Sequence, residues 1–234
     1  MLMDSRAFNA RGFPIIGIIS ALTTQTMNKG LSVIPINLDY LENNLHNVNR
    51  ETLSAVKIGM LCNSDIANIV ADFLETLENI PVVLDPVIRS TSGLELLKPD
   101  AVEILKQRIF PLVSVVCPNW DEAEKLTGIG IEDIYSAKYA LKKLKVKYRN
   151  TNFILTGGHN HGAPIDIIAD EHGILELPGK RVQGNFRGTG CAFSSLLCAE
   201  LSTGKALRRA FLSTKEFLTH SLSQSESPYI SFRP

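Results

Sequence analysis

The sequence predicts an α/β fold in which a mostly parallel sheet lies between layers of helices, and three observations carry that reading. Short β-branched apolar runs alternate with longer stretches of helical periodicity. The runs are continuously apolar, as strands covered on both faces require. Near residues 165–178 the pattern changes to two apolar runs flanking Asp170-Glu171-His172-Gly173, which reads as an antiparallel hairpin.

Taken in order, Ile15-Ile16-Gly17-Ile18-Ile19 is expected as the first buried strand. Ser32-Val33-Ile34-Pro35-Ile36 is a weaker strand, and Pro35 places it at a sheet edge. Residues 56–60, 82–84, 113–116 and 153–155 repeat the buried-strand signature. Between them, Asn63-Ser64-Asp65 can cap a helix over 66–77, whose Ile66, Ile69, Val70, Phe73, Leu74 and Leu77 share one face. Residues 101–109 and 136–144 behave similarly, and helices are expected over 192–201 and 206–222. Residues 223–234 have turn-rich composition and are expected on the surface. With no repeat, low-complexity tract or linker, residues 1–234 read as one domain.

Composition narrows the function. A chain of 234 residues, 44% hydrophobic and 21% charged, can bury a large core. Twenty-four Lys+Arg balance 24 Asp+Glu, which argues against a nucleic-acid binder but leaves room for an anionic small ligand held by backbone amides. Cys62, Cys117, Cys191 and Cys198 form no CxxC pair and read as reduced thiols of a cytoplasmic protein. No apolar run approaches the ~20 residues that span a bilayer. Residues 13–22, interrupted by Pro14 and Gly17, lack the small-residue cleavage site of a signal peptide, so a soluble protein is expected.

Ligands of open parallel sheets bind outside the carboxyl ends of the strands. Thr23-Thr24-Gln25, Gly59-Met60, Asp85, Asn119 and Thr156-Gly157-Gly158-His159 all fall at such ends. Each has an ordinary reading too: a turn at Asp85-Pro86, a helix cap at Asn119, a tight loop at Gly157-Gly158. Their shared location favours a site. The sharpest feature is Gly188-Thr189-Gly190-Cys191 opening a helix. Glycines admit a ligand to the backbone, the helix amides form an anion hole, and the same positive end would lower the Cys191 pKa. Phosphoryl transfer needs donors for the phosphate and a base near the acceptor hydroxyl. From these four residues alone, a Gly-rich turn before a buried cysteine is an equal alternative.

The ordered set Val83-Leu84-Asp85-Pro86-Val87, Cys117-Pro118-Asn119-Trp120-Asp121-Glu122-Ala123, Gly157-Gly158-His159 and Arg187-Gly188-Thr189-Gly190-Cys191 resembles the ribokinase-like kinases. Residues 20–26 and 57–61 narrow the resemblance to the hydroxymethylpyrimidine/phosphomethylpyrimidine kinases of thiamine biosynthesis, over about residues 4–222. The resemblance implies a three-layer α/β/α fold and ATP- and Mg²⁺-dependent phosphorylation of the pyrimidine's hydroxymethyl group and then of its monophosphate. It implies that Gly188, Thr189 and Gly190 supply the anion hole and that Cys191 acts as base or orients the hydroxyl. Gln25, Asp4, Thr23, Met60 and Val87 would border the pyrimidine. Asn119, Thr156, Gly157, Gly158 and Arg187 would border the nucleotide. Glu122, through water, and Asp85 would serve the metal. A homodimer without nucleic-acid or membrane partners is implied as well.

Three departures stand out. The family begins with a strand and a Gly-rich loop ahead of the position of Asp4, so the sheet is expected to lack its usual first strand. Thr156 replaces a frequent lysine, and Arg187 a frequent histidine. A pyridoxal-type vitamin kinase and a catalytically impaired nucleotide- or pyrimidine-binding protein are the alternatives. Gln25 with Met60 favours the pyrimidine; Cys191 with Asn119 and Glu122 favours turnover. A cysteine hydrolase finds no Cys-His pairing signature.

Overall fold

The computed structural model describes every residue except 26–29, 91–92, 158–163, 227 and 233–234. Six strands form the main sheet in chain order: β3 (Val56–Ile58), β4 (Val82–Leu84), β5 (Val115–Val116), β6 (Asn152–Leu155), β7 (Ile165–Asp170) and β8 (Gly173–Pro178). From β3 to β6 the pairing is parallel; β7 and β8 add an antiparallel hairpin. β1 (Ala21–Gln25) and β2 (Gly30–Pro35) pair separately as an antiparallel ribbon.

In β4, β5, β6 and β7 the continuous apolar runs work as expected, each strand feeding two cores by alternation. Val82, Leu84, Val116, Phe153, Leu155, Ile167 and Ala169 face one cluster, together with Ile66, Ala101, Ala123 and Leu141. These come from α3 (Ser64–Leu74), α4 (Pro99–Ile104), α5 (Trp120–Thr127) and α6 (Ile134–Lys147). Leu41 of α2 (Leu38–His46) joins the same cluster. Val83, Val115, Ile154 and Ile168 face the other, against Ala7, Phe193, Leu197 and Phe211. Those belong to α1 (Leu2–Ala10), α7 (Thr189–Leu201) and α8 (Leu207–Ser223). The result is the three-layer architecture expected of the sequence.

Local signals set the boundaries. Asn63 caps α3 by accepting from the Ile66 N–H at 3.0 Å. α4 runs on into a π-turned segment, Leu105–Ile109, and Pro111 ends the helical path in a single tight turn, Phe110–Leu112.

Two expectations fail. Residues 15–19 are not a strand: Ile15 and Ile16 are 40% and 63% exposed, and the extended chain pairs with no strand of the main sheet. Pro14 and Gly17 interrupt the run, and the described sheet starts at β3. The segment leads instead into β1, anchored where Ser20 Oγ donates to the Met60 carbonyl at 2.5 Å. The chain's end is not wholly a surface tail either. Ile230 is fully buried, Phe232 stacks on Phe217 of α8 at 6.2 Å, and Arg6 of α1 donates to the Ile230 carbonyl. Two apolar side chains within a turn-rich stretch are enough to strap it down.

Candidate active site

Because β3 to β6 are parallel, their carboxyl ends share one edge of the sheet. Gly59 and Met60 follow β3 there, Asp85 follows β4, Asn119 follows β5, and Thr156 and Gly157 follow β6. α7 is held to the same edge: Ser194 Oγ donates to Asp85 Oδ2 at 3.2 Å.

The turn that opens α7 depends on Gly188, whose φ of +74° is left-handed and whose Cβ, if it had one, would lie 3.2 Å from Met3 Cε. Gly188 at the N-cap has no side chain to offer, so it leaves the leading N–H groups of α7, the positive end of the helix dipole, without a cap from that position. At Gly190 an added Cβ would meet nothing within 4 Å, so open space adjoins these amides. This is the geometry of an anion site.

Cys191 follows at once, but its electrostatics differ from expectation. Burial, then the Asp85 carboxylate, push its thiol well above the usual range, and the thiol hydrogen-bonds to Asp85. Lys57 pulls the other way without prevailing. The favourable helix end is outweighed because the sulfur is desolvated beside a carboxylate. Burial and the neighbouring carboxylate thus favour the Cys191 thiol over its thiolate.

Asp85 is only 5% exposed, and its Oδ2 is shared by Ser194 and Lys57, the latter at 3.5 Å. Lys57 Nζ also binds Asp4 Oδ1 at 2.6 Å, and Asp4 accepts from Ser195 Oγ at 2.9 Å and from the Met1 ammonium at 2.7 Å. Burial opposes charge on both partners, yet their ionic contacts win. The Asp4 carboxyl is held well below the usual carboxylate range by Lys57, and the Lys57 ammonium is held above its usual range by Asp85 and Asp4. Lys57, Ser194 and Ser195 were not among the site residues expected from sequence. A single lysine inside an apolar strand run was the available signal, since a buried lysine must have partners.

On the other side of Asp85, Asn119 and Glu122 form a capping box at the start of α5. Asn119 Oδ1 accepts from the Glu122 N–H and Glu122 Oε2 from the Asn119 N–H, each at 2.9 Å. Glu122 Oε1 accepts from the Ile88 N–H at 3.4 Å. Burial, reinforced by Asp85, raises the Glu122 carboxyl to about 8. Both of its oxygens face backbone amides, so a cation here would be reached through water. No group of three or more His, Cys, Asp or Glu side chains among the described residues forms a closed metal cage.

Gly157 serves packing: an added Cβ would lie 2.0 Å from the Ile165 carbonyl oxygen, and its N–H donates to Asp166 Oδ1 at 2.8 Å. Thr156 is half-buried, its N–H donating to the Pro118 carbonyl at 3.2 Å. Val87 is half-buried beside Asp85, donating its N–H to the Asp85 carbonyl at 2.8 Å. Thr23 is exposed on β1, and the Arg187 N–H donates to the Pro228 carbonyl at 3.1 Å. The Gln25 side chain and Gly158 lie outside the described residues. A groove of about 520 Å³ lined by Lys106, Tyr139, Lys142 and Tyr148 contains none of these residues. No helix among the described residues is long and apolar enough to cross a membrane.

Against this geometry, a family model described as phosphomethylpyrimidine kinase matches residues 1–230. The chain belongs to the phosphomethylpyrimidine kinase family. It is accordingly a phosphotransferase with a ribokinase-like fold. Among relatives, a hydroxymethylpyrimidine/phosphomethylpyrimidine kinase of Aquifex aeolicus is 34% identical over 96% of this chain and 89% of its own. One from Haemophilus influenzae is 36% identical over 94% and 84%. Of solved structures, the phosphomethylpyrimidine kinase of Clostridium difficile aligns with a TM-score of 0.80 at 27% identity, covering 94% of this chain and 91% of that one. An ADP complex of Bacillus subtilis pyridoxal kinase aligns at 0.85 with 26% identity, covering 97% and 87%.

Proposed function

We propose that this phosphotransferase uses ATP to phosphorylate hydroxymethylpyrimidine and its monophosphate, a step of thiamine biosynthesis. The observation that carries the reading is the left-handed glycine turn that starts α7, with open space at Gly190, beside Cys191, Asp85 and Lys57. Amides of Gly188, Thr189 and Gly190 would stabilise charge on the migrating phosphoryl group, the largest contribution such a site can make. The acceptor oxygen bonds to the γ-phosphorus as the bond to ADP breaks, and its hydroxyl proton passes to an oxygen of the transferred phosphoryl group. Cys191, a neutral donor, would orient that hydroxyl, and positioning is most of what a loose transition state requires.

Mg²⁺ fits the donor set. It keeps several waters and needs only one or two carboxylates besides phosphates. Asp85 and Glu122 would hold it, Glu122 through water, and the cation would relieve the repulsion that raises the Glu122 carboxyl. Met60 and Val87 would border the pyrimidine, with Gln25, Thr23 and Asp4 as its polar partners. Thr156, Gly157, Gly158, Arg187 and Asn119 would border the nucleotide. We also infer a cytoplasmic homodimer that engages no nucleic acid. The exposed cross-strand pair Leu22 and Ile34 on the β1–β2 ribbon offers apolar surface for a second copy.

Pyridoxal phosphorylation is the second reading, favoured by the TM-score of 0.85 to the Bacillus subtilis pyridoxal kinase. ATP consumption should be assayed with hydroxymethylpyrimidine, its monophosphate and pyridoxal in parallel. Turnover of the pyrimidines well above pyridoxal is expected; turnover of pyridoxal alone would overturn the assignment.

A further inference from the structure

The phosphoryl-transfer site sets an anion hole beside the buried carboxylate of Asp85, whose charge opposes the phosphates it must receive. Asp85 touches α7 through Ser194 and Cys191, so its charge faces the same space as the helix amides. Lys57 Nζ, 6% exposed, stands between Asp85 Oδ2 at 3.5 Å and Asp4 Oδ1 at 2.6 Å. Among the described residues it is the one cation in salt-bridge range of Asp85. Its stem rises from strand β3, and its Nζ packs close to Gly59, where an added Cβ would lie 3.1 Å away.

We propose that Lys57 is a positioning and charge-balancing residue that makes the site tolerate a second phosphorylated ligand, the pyrimidine monoester, in addition to ATP. The inference rests on the functional reading above. Lys57 touches neither reacting atom. It locks the Asp85 carboxylate against Ser194 and Cys191 and offsets its charge. A neutral pyrimidine alcohol is indifferent to that offset; its monoester, which carries up to two negative charges, is not. One unit of charge lost within about 8 Å of the monoester weakens its binding by roughly tenfold.

The test is calorimetric binding of hydroxymethylpyrimidine and of its monophosphate, without turnover, to wild type and Lys57 variants, each checked for a cooperative unfolding transition. Lys57→Met is expected to weaken the monoester about tenfold more than the alcohol. Lys57→Arg, which keeps the charge, should hold the ratio of the two affinities within about threefold of wild type. Should Lys57→Met fail to fold because Asp85 is stranded, Lys57→Gln, which removes the charge but keeps a donor toward Asp85, should show the same tenfold bias. Equal loss of both ligands in the neutral variant, or a tenfold bias in Lys57→Arg, overturns the inference. A wild-type chain that binds neither pyrimidine would instead overturn the functional reading.

Discussion

Glu122→Gln separates the electrostatics of the site from its architecture. Gln keeps the shape and one acceptor oxygen, so it can still take the Asn119 N–H that closes the capping box. What it removes is a carboxyl whose ionisation burial and Asp85 defer from an ordinary 4.5 to about 8. Between those values the unfolded chain has lost the proton while the folded chain retains it. Stability of the wild type therefore falls as pH rises through this window. At ~1.4 kcal/mol per pH unit, the interval from 4.5 to about 8 amounts to something on the order of 5 kcal/mol. The variant escapes that loss. Urea unfolding of both proteins across the window should show them nearly equal at its acid end. The variant should then gain steadily, becoming the more stable by several kcal/mol at the alkaline end. A stability difference that stays flat with pH, or that moves toward the wild type as pH rises, would refute the reasoning.

Cys191→Ala should lower kcat far more than it weakens either substrate, because the thiol orients the acceptor hydroxyl; unchanged kcat in steady-state kinetics would remove it from the mechanism. Gly157→Ala should cost at least ~3 kcal/mol in thermal unfolding, since its Cβ would fall 2.0 Å from a backbone oxygen that cannot rotate away. Ile230→Ala should cost ~2–5 kcal/mol by the same measurement, because the side chain is fully buried against the helical layer. Unaltered melting of that variant would mean the strap contributes nothing.

Much of the fold is legible in the residues because its strands are buried on both faces. Val82-Val83-Leu84 and Phe153-Ile154-Leu155 have no polar position to confuse the period, and Asn63 and Asn119 mark helix starts by chemistry that needs no tertiary context. Residues 15–19 mislead for the converse reason. Apolar, β-branched composition makes a strand only if a neighbour supplies the ladder, and pairing is a tertiary fact. Ile230 and Phe232 mislead because two apolar residues among Ser and Pro carry no periodic signal.

The site divides the same way. Motif order brings Asp85, Asn119, Glu122 and the Gly188–Cys191 turn to one edge, and parallel strands explain why. The sign of the Cys191 shift was not legible, since helix position alone omits the carboxylate that the fold places beside it. The partners of Lys57 carry no local sequence signal, because they lie 53 and 28 positions away from it. Asp4 and Asp85 reach it only once α1 and β4 have packed.

The central claim is a location: the migrating phosphoryl group sits on the first amides of α7. A crystal structure with ADP, Mg²⁺, aluminium fluoride and hydroxymethylpyrimidine tests it most directly. The planar fluoride is expected within ~2.7–3.1 Å of the N–H groups of the Gly188–Cys191 turn, with the pyrimidine's hydroxymethyl oxygen in line and beside the Cys191 thiol. A fluoride bound elsewhere, with those amides facing only water, would contradict it.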